Sequence, residues 1–160
     1  MAENTLPNEE IIREWPKYTL WMEPNAISQG NLILTSERLV FLKEKVLTEK
    51  DIYDLYQMRE RGASVREEIQ FALGLQKKNF QIPLEDIIGA GLGRYSLLPF
   101  RLWLHVRYRS GRKEKQLTFI FTMSLFKRLL LKEFPTLGWR QAINDEVKRL
   151  AKQRAKAAKQ

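Results

Sequence analysis

Cysteine is absent from this 160-residue chain, so no disulfide, thiolate metal site or thiol nucleophile can form. That absence suits a reducing compartment. Histidine occurs once, at His105. Without a second His or any Cys it lacks the companions of a zinc site, and no acid is placed to make it a general base. No run approaches the roughly 18 consecutive apolar residues of a membrane-spanning helix. The opening "MAENTLPNEEIIREW" is acidic and has no apolar stretch of the kind a secretory signal needs. These absences lead us to expect a soluble, cytoplasmic protein.

Acidic residues are scarce in one half only. Residues 1–93 hold 11 Lys and Arg against 15 Asp and Glu, a net of −4. Residues 94–160 hold 17 against 4, a net of +13, and the two sum to the overall +9. Such a split suggests an anionic partner: a membrane surface, an acidic protein or nucleic acid. The ordinary alternative is a solvated basic face that keeps the protein in solution.

What is present suffices for a core. The chain is 44% hydrophobic, with four Trp and eight Phe, which argues against general disorder. Its length fits one domain with room for an insertion. In "GNLILTSERLVFL" (30–42) two apolar runs flank the polar knot Thr35–Arg38, the pattern of a hairpin whose turn is held by Ser or Thr hydroxyls. Strands are expected at about 31–35 and 38–45, after an extended segment, "YTLWMEPNAIS", broken at Pro24. Residues 48–78 then change period. Thr48 with Asp51 and Ser64 with Glu67 have capping-box spacing, and Leu47 and Ile52 are placed as a hydrophobic staple. Ile52, Leu55 and Tyr56 mark one apolar helix face; Val65, Ile69, Ala72 and Leu73 mark a second. Strands return at "NFQIPLEDIIGAGLG", "RLWLHVRYR" and "KQLTFIFT", the last two joined by a turn at Ser110–Arg112. "SLFKRLLLKEF" reads as a short helix. A final helix follows, with Trp139, Ala142, Ile143, Val147 and Leu150 on one face and a basic end, "KRLAKQRAKAAKQ". Hairpins followed by a capping helix indicate an α+β fold. The expected organisation is a leader at 1–14, one domain at 15–150 with a helical hairpin insertion at 48–78, and a basic helix end at 151–160.

The stretch "GNLILTSERLVFL" resembles the Gly-x-Leu-x-Leu-Thr-x-x-Arg-Leu-x-Phe pattern of GRAM domains and bacterial pleckstrin-homology-like (PH-like) domains. "FQIPLEDIIGAGLG" is similar to their next strand, and the helix carrying Trp139 and Ile143 to their last element. The resemblance covers roughly 20–45 and 79–150. It implies a strongly curved antiparallel sheet, a partly open barrel, capped by the C-terminal helix. The insertion at 48–78 departs from the usual small domain. The expected first loop, "NAISQG", carries none of the basic residues of an inositol-phosphate pocket.

No catalytic constellation emerges. "GAGLG" lacks the third glycine, the following helix and the parallel unit of a dinucleotide fingerprint, so a strand end or bulge accounts for it. Glu85 and Asp86 are adjacent, and consecutive strand residues point to opposite faces. No cofactor is indicated. The suggestive feature is a strand face of Arg101, Trp103, His105, Arg107 and Arg109, with Lys113 and Lys115 past the turn and Lys152 and Arg154 in the tail. Basic groups beside an aromatic can grip phosphates or an anionic interface. The competing reading packs Trp103 beneath the inserted helices. The expected function is therefore a non-enzymatic binding module that meets anionic lipid head groups or an acidic protein, peripherally where a membrane is the partner. The alternative is nucleic-acid binding through the same face and tail.

Overall fold

The computed structural model describes residues 8–23, 26–94, 102–121 and 135–160. The polar knot is a turn between β2 (Ala26–Thr35) and β3 (Arg38–Lys43), which pair antiparallel with Leu34 opposite Leu39 and Leu32 opposite Phe41. Thr35 holds the turn: its Oγ1 accepts from the amides of Glu37 and Arg38 at 3.2 and 3.0 Å. Gly30 is needed for close approach. A Cβ there would lie 2.2 Å from the Leu42 carbonyl oxygen, which is backbone and cannot swing away.

Both runs are apolar at nearly every position because both faces of this hairpin are covered. Leu32, Leu34, Leu39 and Phe41 point into the main core. Ile33 and Val40 point the other way, against Ile69, Val65 and Leu73 of α2 (Val65–Gly74). Val40 belongs to this second cluster because it faces Ile33 across the ladder and has the opposite parity to Leu39 and Phe41.

The remaining strands are β1 (Ile11–Glu23), β4 (Phe80–Pro83), β5 (Ile87–Arg94), β6 (Leu102–Ser110) and β7 (Lys113–Phe121). All pairings are antiparallel, in the order β4-β3-β2-β1-β7-β6-β5. β1 joins the two halves, pairing with β2 along its length and with β7 at Thr19–Trp21. The sheet's two edges, β4 and β5, are joined by a single 3-10 turn at Leu84–Asp86. The last helix, α3 (Pro135–Ala157), packs on that turn, β5 and β6. Trp139 and Ile143 are fully buried, and Trp139 stacks on Phe121 with ring centroids 5.6 Å apart. Asn144 of α3 accepts from the Ala90 amide at 2.9 Å and donates to its carbonyl at 3.0 Å. A side-chain amide thus takes the place of a further strand on the β5 edge. The architecture is an α+β fold, an open antiparallel sheet with a C-terminal helix.

Several expectations need correction. Residues 1–14 are not all leader: β1 starts at Ile11, and Glu9 is buried. "NAISQG" is mostly the first half of β2 rather than a loop, since only positions 24 and 25 separate β1 from β2. The capping boxes form as read, at Thr48 with Asp51 for α1 (Glu49–Glu60) and Ser64 with Glu67 for α2. The apolar face of α1 is not buried, however. Ile52 and Tyr56 are 55% and 58% exposed, because α2, not α1, lies on the sheet. The "SLFKRLLLKEF" helix falls outside the described residues. The "GAGLG" stretch lies within β5, and the register shift between Ile87 and Gly89 puts an irregularity at its start, as the bulge reading has it.

Candidate functional site

β6 alternates as the sequence suggests. Leu104 and Val106 enter the core, while Trp103, His105, Arg107 and Arg109 share the outer face. Arg101 lies outside the described residues. The neighbouring β5 positions on this face are Gly93, Gly91 and Gly89, opposite Trp103, His105 and Arg107. The three glycines of "GAGLG" thus share the outer face, but a Cβ at Gly91 would meet nothing within 4 Å, and only Gly93 is demanded by a neighbour. A Cβ at Gly93 would meet the His105 Nε2 at 2.0 Å, so the imidazole occupies space that only glycine leaves open.

His105 is not a charged member of the face near neutral pH. Burial pushes its pKa below the ordinary 6.5. Its Nδ1 lies 2.9 Å from Thr118 Oγ1 and 3.1 Å from Gln116 Nε2, both on β7. Trp103 is half-buried, with its ring 6.3 Å from His105 and nearly perpendicular to it. The inserted helices do not cover Trp103. Of the two, α2 is the one that lies on β2 and β3, and β6 is on the far side of β1 and β7 in the strand order.

Lys113 and Lys115 do not extend the face. They stand opposite Ser110 and Tyr108 and have the parity of the core face, while the outer face continues on β7 as Glu114, Gln116 and Thr118. Arg107 reaches Glu114 at 3.2 Å, with both side chains more than half exposed. Arg112 sits in the turn beside Gly111, whose φ of +63° suits glycine. The sequence reading used Arg112 only as a turn residue. The cations of β6 and β7 therefore form a hairpin tip, basic on both faces, rather than one flat patch.

The tail does not join them. Arg154 is paired with Glu85, and Arg149 donates to the Ser36 carbonyl at 2.9 Å, so contacts of the end of α3 run toward the β2–β3 turn and the β4–β5 connection. Lys152 is exposed on the same helix end. Elsewhere a cleft of about 590 Å³ opens between the inserted helices and the sheet, floored by Ile33, Leu42 and Val65 and rimmed by an Arg59–Glu68 ion pair at 3.3 Å. Among the described residues no group of three or more His, Asp or Glu could hold a metal ion, and no helix is long and apolar enough to cross a membrane.

No family model matches the chain, and no curated protein does. Two solved structures are similar in outline. One is the C-terminal domain of an unknown protein from Leishmania infantum, with a TM-score of 0.44 and 14% identity over 77% of this chain and 80% of that one. The other contains the DH/PH domains of p115-RhoGEF, with a TM-score of 0.44 and 9% identity over 86% of this chain and 30% of that one. Both scores are too low to carry a fold or a function across, so the functional reading depends on this chain's own geometry.

Proposed function

We propose that the chain is a non-enzymatic, PH-like and GRAM-like binding module that holds an anionic partner with its basic C-terminal half. Supporting the scaffold are the "GNLILTSERLVFL" hairpin, the antiparallel strand order and the helix seated on β5, β6 and the turn between β4 and β5. The observation that carries the binding role is the exposed tip of the β6–β7 hairpin. Arg107, Arg109, Arg112, Lys113 and Lys115 stand there against a single acid, Glu114. The charge split alone makes anionic lipid head groups or an acidic protein surface natural partners. The missing basic residues between β1 and β2 speak for charge recognition without a dedicated inositol-phosphate pocket.

Retention on immobilised heparin, a polyanion with no fixed partner structure, tests this reading. We expect binding at about 50 mM salt that weakens toward about 200 mM, as contacts made by exposed charges must. The Arg107→Glu, Arg109→Glu double variant should elute at clearly lower salt, with an unchanged melting temperature, because exposed charges contribute little to folding. Failure of the wild type to bind at low salt would remove the proposal.

A further inference from the structure

The hairpin geometry narrows the choice of anion. Residues 107–116 carry five cations and one carboxylate, a net of +4. Every residue from Arg109 to Gln116 is exposed. Tyr108 and Leu117 are the outermost side chains of the hairpin that pack on the core. Beyond them the two strands project as a ribbon. At about 3.4 Å per residue, Gly111 lies roughly 10 Å past Tyr108. Strand parity puts Arg109 on one face of this ribbon, with Arg107 at its base beside Gly89 of β5, and Lys113 and Lys115 on the other face, with Arg112 in the turn.

Cations on opposite faces are poorly arranged for a plane, which can meet one face or the tip. They suit a groove, whose two walls meet both faces together. The major groove of B-form DNA, about 12 Å wide and 8.5 Å deep, admits a two-stranded β-ribbon. The ribbon's projection matches that depth. The major groove of an RNA helix is too narrow for such an element. Single strands are gripped mainly by stacking on exposed rings. The one ring in 107–116 is Tyr108, which packs on the core.

We infer that the β6–β7 hairpin enters the major groove of duplex DNA. Arg107 and Arg109 reach phosphates along one wall, Lys113 and Lys115 reach those along the other, and Arg112 leads. This rests on the anion-binding reading above and names the anion. The Arg107–Glu114 pair is no obstacle, since an exposed pair contributes little and exchanges readily for phosphate.

The test is fluorescence anisotropy with the full chain. It uses a labelled DNA duplex of about 20 bp, a single strand of the same length, and phosphatidylcholine vesicles carrying phosphatidylserine as competitor. We expect the duplex to bind in preference to both. Log K should fall with log salt at a slope of roughly −4.5, for about five phosphate contacts. Arg109→Glu and Lys113→Glu, one from each face, should each weaken duplex binding about tenfold or more, and the pair should make the slope less negative by about 2. Circular dichroism and melting temperature should not change. Vesicle binding with no duplex binding would overturn this inference and leave the anion-binding reading standing. So would equal affinity for the single strand, or sensitivity to Arg109 alone, which would mean one face and no groove. Binding to none of the three would remove both.

Discussion

Glu9 shows how much one side chain can hold together. Its carboxylate is closed off from solvent and takes two hydrogen bonds from Arg38, Nε to Oε1 at 2.8 Å and a terminal nitrogen to Oε2 at 2.7 Å. Thr35 donates to it at 2.7 Å, and Arg66 of α2 lies 3.8 Å away. Arg66 also pairs with Glu37 in the turn. The start of β1, the β2–β3 turn and the inserted hairpin thus meet at one carboxylate. Burial alone would raise its pKa. The hydrogen bonds from Arg38 and Thr35 and the charges of Arg38 and Arg66 outweigh that and hold it below the ordinary 4.5. A carboxylate depressed in the folded state stabilises fully above its unfolded pKa, and that contribution is lost as pH falls through the folded value. Glu9→Ala should therefore cost roughly 3–5 kcal/mol at neutral pH, since it leaves Arg38 without its buried partner. Below about pH 4.5 the wild type should lose stability faster than the variant, so that the gap narrows. Urea unfolding at several pH values checks both. Nothing local in the sequence marks Glu9, whose partners lie 26 and 29 residues away.

The two inserted helices look alike in sequence but differ in role. Each has a complete capping box, so each is fixed locally at its start. Only α2 has somewhere to put its apolar face. Ile69 is 4% exposed against Ile33 and Val40, while α1 buries no residue. Ile69→Ala should cost about 2–4 kcal/mol, as an emptied core site does. Ile52→Ala on α1 should stay within about 0.5 kcal/mol. Equal losses in thermal unfolding would mean that both helices are packed. The caps and periods were legible because they depend on residues three and four apart. Which helix meets the sheet was not legible, because that depends on the outer parity of β2 and β3. The basic residues after β6 are a different case. A strict count across the two-residue turn puts Ser110 opposite Lys113, and hence Lys113 and Lys115 away from Arg107 and Arg109. Reading them as one extended patch overlooked that count.

At the scale of the whole molecule, fold and charge are arranged separately. The strands, α2 and the Trp139 helix supply the packing, and their apolar periods were readable in order. Among the described residues the excess of positive charge gathers instead on two exposed extremities, the β6–β7 tip and the end of α3. Composition gave the sign of that charge but not its division between two places, which only the strand order and the course of α3 determine. We propose that anions bind at the tip and not at the helix end. Amide chemical shifts of the full chain, followed while a short heparin oligosaccharide is added, distinguish the two. The progressive shifts should be confined to about 107–116 and should reverse with added salt. Shifts gathered at 148–160, with the hairpin amides unmoved, would contradict it.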